Sequence, residues 1–269
     1  MTDFINSPKN PPPKSELDRV LRRFARLSYH GFVVLVLLTM ASALAFALVP
    51  AVALVQAVLA WSAPWSFWAR AAVIAASLPA GFFAFGFSLL AVVPIYNRLL
   101  PTRVKPFRGG YYTIHAVPWV LHNALFYVVR YTFLPWVTLT PFGIWFLKAM
   151  GMKIGRHSFI NTELISDPGL ITLGDDVTLG GSVRIFAHYG GGGNLVIAPV
   201  VIGDRATVGI AATIMGDVTI GAGAVVLAHA AVLPGSRIGP GETWGGVPAR
   251  HIPREEMEKL RAVTRSFDA

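Results

Sequence analysis

Residues 202–244 read IGDRATVGIAATIMGDVTIGAGAVVLAHAAVLPGSRIGPGETW. Ile202, Val208, Ile214, Ile220, Val226, Val232, Ile238 and Trp244 stand six residues apart without exception. Ala206, Ala212, Val218, Ala224, Ala230 and Ser236 each follow one of them by four. Strands of an ordinary β-sandwich recur at about 8–12 residues and keep no fixed six. A strict six fits a triangular coil of three hexapeptides, in which each flat face turns one aliphatic side chain inward and a small residue fills each corner. Stacked coils pair every strand with those above and below, so no coil has to bury its face alone. Glycine and aspartate supply the turns. Ile154, Leu173, Leu179 and Val196 begin similar units, which sets the repeat domain at residues 153–252.

The beat breaks twice. One residue too many lies between Ile160 and Leu173, around Ser166-Asp167-Pro168-Gly169. Between Ile185 and Val196 the spacing is eleven instead of twelve, and FAHYGGGGN (residues 186–194) fills the gap. Four glycines cannot pack a coil and cost conformational entropy, so a mobile excursion is expected there. Loops on a rigid scaffold are where function tends to sit.

Histidine suits the removal of a proton from an amine or hydroxyl, because its pKa lies near working pH. His188 stands in the excursion and is the candidate base; a satisfied loop histidine is the alternative. His229 holds a regular repeat position in VLAHAAV and is the second candidate, while His157 and His251 at the ends read as structural. One coil is eighteen residues, so the position beneath His188 is near Leu170, with Asp167, Pro168 and Gly169 close by. Asp167 is then positioned to orient the imidazole, as a carboxylate does in a triad. Asp175, Asp176, Asp204 and Asp217 read as coil-corner residues.

Residues 154–252 resemble the hexapeptide-repeat acyltransferases, and Gly245-Gly246-Val247-Pro248-Ala249-Arg250 resembles the segment that closes their repeat. The resemblance implies a fold that is mainly β, a left-handed parallel β-helix, against the usual right-handed crossover. It also implies a homotrimer with sites between subunits. The donor would be acyl-CoA or another phosphopantetheine-linked thioester, held by Trp244, Gly245, Pro248, Ala249 and Arg250, with no metal. Trp244 is equally placed for core packing, since it occupies an inward repeat position. The layout, with apolar helices ahead of the repeat, is similar to the membrane-embedded C-terminal half of the poly-lysine-synthetase-type peptide synthetases, although no adenylation domain is present.

Those helices are read from composition. The chain is 54% hydrophobic, with a mean hydropathy of +0.57, and only 14% charged, where soluble domains lie nearer one quarter. No charged residue lies between Arg26 and Arg70 or between Arg70 and Arg98, and each run exceeds the roughly 20 residues that span a bilayer. A transmembrane hairpin is expected over 28–99, with Pro50 tilting or kinking its first helix. Its connection, WSAPWSFWAR, is rich in the tryptophan that favours the headgroup region.

Residues 1–27 read as a basic cytoplasmic tail, disordered to residue 15 and then amphipathic. Residues 100–152 read as interfacial aromatic helices, with further spans as the alternative, and 253–269 as a C-terminal helix. Basic residues flank both runs, so the tail and the catalytic domain should face the cytoplasm from a bacterial-type inner membrane. The net charge of +9 then points to lipid headgroups rather than nucleic acid, for which no recognition element exists. An acyl or peptidyl carrier protein is a further candidate partner.

With no cysteine, disulfides, thiolate metal sites and a cysteine nucleophile are excluded. A γ-carbonic-anhydrase-like metal site would need three imidazoles converging on one ion, and these histidines are scattered. A non-catalytic membrane scaffold explains the repeat but not the loop histidine.

Overall fold

The computed structural model describes residues 15–23, 25–111 and 113–265. The expected disordered tail lies outside them except for Ser15, as do residues 266–269. The chain divides into two units, one comprising residues 12–103 and 112–136, the other 104–111 and 137–269.

In the first unit, α1 (Glu16–Arg23) precedes two long helices, α2 (Ala25–Trp61) and α3 (Phe67–Leu99). Residues 30–61 and 67–99 are each long and apolar enough to cross a membrane. The two helices pack through small residues: Ala43 and Ala47 of α2 are fully buried, as is Gly81 of α3. Many of their large apolar side chains point outward, among them Leu38 and Phe46 at 62% exposure, which is the reverse of a soluble core helix. The helix α2 runs unbroken through Pro50.

The segment 100–152 is divided between the two units. The helix α4 (Val117–Thr132) packs against α2 and α3 and buries Leu121, Leu125, Phe126 and Val129, so it is a packed helix rather than a surface one. Its Arg130 is buried with its guanidinium 5.4 Å and 5.2 Å from the Tyr127 and Tyr131 rings. The helix α6 (Pro141–Ala149), in the second unit, shows Phe142, Trp145 and Lys148 outward over a buried Phe146 and Leu147, and Tyr131 and Trp136 are exposed as well.

The second unit is a parallel β-solenoid of about five coils with three faces. One face stacks β2 (Lys153–Ile154), β5 (Ile171–Leu173), β10 (Val200–Ile202), β13 (Val218–Ile220) and β16 (Arg237–Ile238). The next stacks β3 (Phe159–Ile160), β6 (Thr178–Leu179), β11 (Thr207–Val208), β14 (Val225–Val226) and β17 (Thr243–Gly245). The third stacks β4 (Ile165–Ser166), β7 (Arg184–Phe186), β12 (Thr213–Ile214) and β15 (Ala231–Val232).

The register joins like to like, with Leu173, Ile202 and Ile220 in one column and Leu179, Val208 and Val226 in another. These inward side chains, and the corner alanines Ala206, Ala212, Ala224 and Ala230, are at most 2% exposed, as the period requires. The helix α7 (Arg254–Arg265) follows the last coil.

Val196 does not begin a coil unit. It lies in an antiparallel strand, and the coil resumes at Ile202, seventeen residues after Ile185 where a regular unit takes six. The excursion is not a mobile loop either. It folds as a hairpin of β8 (His188–Gly191) and β9 (Asn194–Ile197), and β1 (Phe107–Gly110) pairs antiparallel with β9 to complete a three-stranded sheet. Gly192 and Gly193 make its two-residue turn with φ of 57° and 82°, a pair of positive values that glycine adopts without penalty. Glycine here specifies a turn instead of disorder.

Candidate active site

The third face meets the first at a corner that every coil must turn. In the first coil this corner holds Asp167, with φ 59° and ψ 50°, followed by a 3-10 turn, Pro168–Leu170, which accommodates the extra residue. Asp and Asn tolerate this left-handed conformation better than most residues. In the second coil the chain leaves the same corner through Ala187 into β8. The strand pairs Ile165↔Ile185 and Ser166↔Phe186 bring Asp167 beneath His188.

His188 Nδ1 lies 2.5 Å from Asp167 Oδ2. The carboxylate side chain is fully buried and the imidazole side chain is 21% exposed. A charge so deeply buried is tolerable only when paired, which is what the imidazole provides. The Phe186 ring stands 5.8 Å from that of His188. From the third coil, Gly216 closes down on the same corner: a Cβ there would lie 3.0 Å from Ala187 C and His188 N. Sequence reasoning missed Gly216, although a glycine one coil from a suspected base was a readable sign. It missed β1 as well, because FRGG carries no alternation.

A carboxylate on Nδ1 fixes the tautomer of a neutral imidazole, with the proton on Nδ1 and the lone pair on Nε2. Such a nitrogen can take a proton from an amine or hydroxyl, and the buried carboxylate stabilises the imidazolium that results.

The other histidines are placed elsewhere. His229, at φ 59°, turns the corner between the second and third faces, donates its backbone N–H to Ile210 O, and is exposed. His157, at φ 56°, turns the corner between the first and second faces, with Nδ1 3.5 Å from Asp176 Oδ1. Left-handed corners are a structural reason for histidine at both positions. Asp175, one of the expected corner acids, is held below the usual carboxylate range by the Arg156 N–H and then by its guanidinium. Among the described residues no three of His, Asp and Glu are grouped to hold a metal ion.

The five candidate donor residues lie together at the far end of the solenoid. Trp244 and Gly245 pair antiparallel with His251 and Arg250, and the linking segment, which contains a cis Val247–Pro248 bond, lies on β15 through Ala231 N–H to Gly246 O and Ala249 N–H to Ala231 O. Gly245 is buried against Leu227 and Ile252. Trp244 Nε1 donates to Glu242 Oε2 at 2.8 Å, and Arg250 pairs with Glu256 at 3.0 Å. The cap is not beside His188. Three coil steps of about 4.8 Å separate them along the solenoid, roughly 14 Å.

The fold is a β-solenoid built on a six-residue repeat. No protein-family model matches the chain. The delta-poly-L-ornithine synthetase of Acinetobacter baumannii is 30% identical over 116 residues, 43% of this chain and only 9% of that protein's length. A hexapeptide-repeat-containing acetyltransferase of Vibrio cholerae O1 biovar eltor, solved with acetyl coenzyme A, is 31% identical, with 38% of this chain and 60% of that one covered at a TM-score of 0.36. A galactoside acetyltransferase in complex with coenzyme A is 21% identical, with 42% and 70% covered at a TM-score of 0.37.

Proposed function

We propose that the chain is a membrane-anchored acyltransferase that moves an acyl group from a pantetheine thioester to an amine or hydroxyl. The observation that carries the reading is the buried Asp167 bonded to His188 where the coil beat breaks. His188 Nε2 removes the acceptor's proton as its nitrogen or oxygen attacks the thioester carbonyl. The tetrahedral intermediate collapses, the C–S bond breaks, and the imidazolium returns the proton to the departing thiolate. Asp167 holds the ring through Nδ1.

The donor is acyl-CoA, with a carrier-protein thioester as the second source. It extends toward Trp244, Gly245, Pro248, Ala249 and Arg250, where the Arg250 guanidinium exchanges Glu256 for phosphate. Anchoring by α2 and α3 favours an acceptor at the membrane, with the tail and β-helix in the cytoplasm. Exposed Val201 (40%) on the first face and Ile210 (60%) at the corner between the second and third favour a homotrimer. Reporter fusions after Arg108 and native mass spectrometry in detergent test both features; a periplasmic signal or monomers alone would remove them.

The deciding measurement is thioester consumption by the purified protein. His188→Ala should lower it on the order of 10²–10⁴-fold; because it leaves the buried Asp167 without its partner, melting should fall as well, and activity is compared per folded molecule. His229→Ala should be mild. A folded, inactive His229→Ala beside an active His188→Ala would move the base to the other corner.

A further inference from the structure

Residues 107–111 reach the site from a segment to which the reaction scheme gives no role. Across the three-stranded sheet, Phe107, Ile197 and His188 form one row, and Gly109, Leu195 and Gly190 form the row two residues on. Alternate residues of a strand project to one face, so both rows share the face that carries the His188 side chain.

On that face two glycines clear room for two aromatic side chains. A Cβ at Gly109 would lie 2.7 Å from Phe107 Cζ, and a Cβ at Gly190 would collide with Tyr111 Oη. The Phe107 ring therefore lies over Gly109 and the Tyr111 hydroxyl over Gly190, with the buried Leu195 between them. Tyr111 is 38% exposed, so the residue that places this hydroxyl over Gly190 stands in part open to solvent. Gly190 is two residues from His188, about 6.6 Å along the strand. A nucleophile held about 3 Å from the imidazole leaves its neighbouring polar group within reach of Tyr111 Oη.

We propose that Tyr111 and Phe107 complete the acceptor side of the site. Tyr111 Oη, both donor and acceptor, binds a hydroxyl or amine adjacent to the nucleophile, and Phe107 walls the apolar side. The acceptor class is a short bifunctional unit, an amino alcohol or a diamine, free or borne on a larger molecule. This rests on the acyltransferase reading and adds the chemistry of the acceptor.

The test uses the full chain in detergent, acetyl-CoA as donor, and three probes: ethanolamine, ethylenediamine and the isosteric propylamine. The wild type should be accelerated by the two bifunctional amines. Tyr111→Phe should lower the ethanolamine-to-propylamine ratio of kcat/KM on the order of 3–10-fold, the worth of one hydrogen bond. The KM for acetyl-CoA should stay constant. Gly190→Ala, which expels the hydroxyl, should lower the same ratio, with melting as the folding control. An unchanged ratio in Tyr111→Phe, or an equal rise in both KM values, overturns the role of Tyr111. No acceleration by any of the three amines overturns the acceptor class. Full activity in His188→Ala would displace the base from His188, and a failure of acetyl-CoA to bind or turn over at all would overturn the underlying acyltransferase reading instead.

Discussion

Residues 200–245 and residues 161–199 belong to one solenoid and solve its corners differently. In the later coils each corner is turned by a left-handed residue such as Arg205, Ala211 or Gly223, and the inward column is aliphatic and dry. In the earlier coils the corner of the third face is occupied by a buried carboxylate, an imidazole above it, and eleven added residues before the next strand. Regularity serves stability here, and its interruption places a charge where a packed coil would admit none. Stability and chemistry should therefore respond to different substitutions.

The comparison breaks most visibly in the regular coils. Ile214 is fully buried on the third face, and Ile214→Ala should cost about 2–5 kcal/mol of stability. Chemical denaturation should show that loss while the activity per folded molecule holds. An equal loss of specific activity would mean that the coils above the site help to shape it.

Asp167→Asn sharpens the other side. Asparagine tolerates the left-handed backbone at this position, so melting should change little. It cannot stabilise the imidazolium, and thioester consumption should fall on the order of 10–100-fold, about 1.4–2.7 kcal/mol in the barrier. An effect as large as that of His188→Ala would make the carboxylate more than a positioning group.

The smallest effect is expected at the cap. The Trp244 indole N–H and then the Gly239 N–H hold the Glu242 carboxyl below the ordinary glutamate range. A depressed folded pKa stabilises the cap above the unfolded value, roughly 4.3, and this contribution is lost as pH falls through the lower folded value. The protection of the Trp244 indole N–H, its exchange rate relative to the intrinsic rate at each pH, should thus be constant from pH 7 to 5 and fall only below about 4. In Glu242→Gln that pH step should vanish; its persistence would assign it to another group.

Much of this difference was legible in the sequence. The column from Ile202 to Trp244 fixes the coil because three six-residue faces make one eighteen-residue turn, and eighteen residues before His188 stands Leu170, close to Asp167. The hairpin was illegible for a physical reason. Gly190 to Gly193 have no side chains to alternate, so neither strand nor turn leaves a pattern, and Val196 matched the coil period by coincidence. The strand at Phe107–Gly110 was hidden more deeply, because nothing local marks a pairing with residues almost ninety positions away. Trp244 shows the limit of periodicity in another way: it keeps the beat and yet turns its indole N–H to Glu242.

That distant pairing has a consequence for how the protein is made. Phe107–Gly110 leaves the ribosome well before Asn194–Ile197, and at about 5–20 residues per second it waits several seconds or more for its partner. Meanwhile it is a bare strand edge next to newly made apolar helices, open to pairing with another chain. Its flanking residues Arg103, Lys105, Pro106 and Arg108 are the kind that discourage such pairing. The sheet that carries His188 is therefore the late, high-contact-order step of a fold in which most other strand pairings join neighbouring coils, and the interval before it closes is when the nascent chain is most open to aggregation.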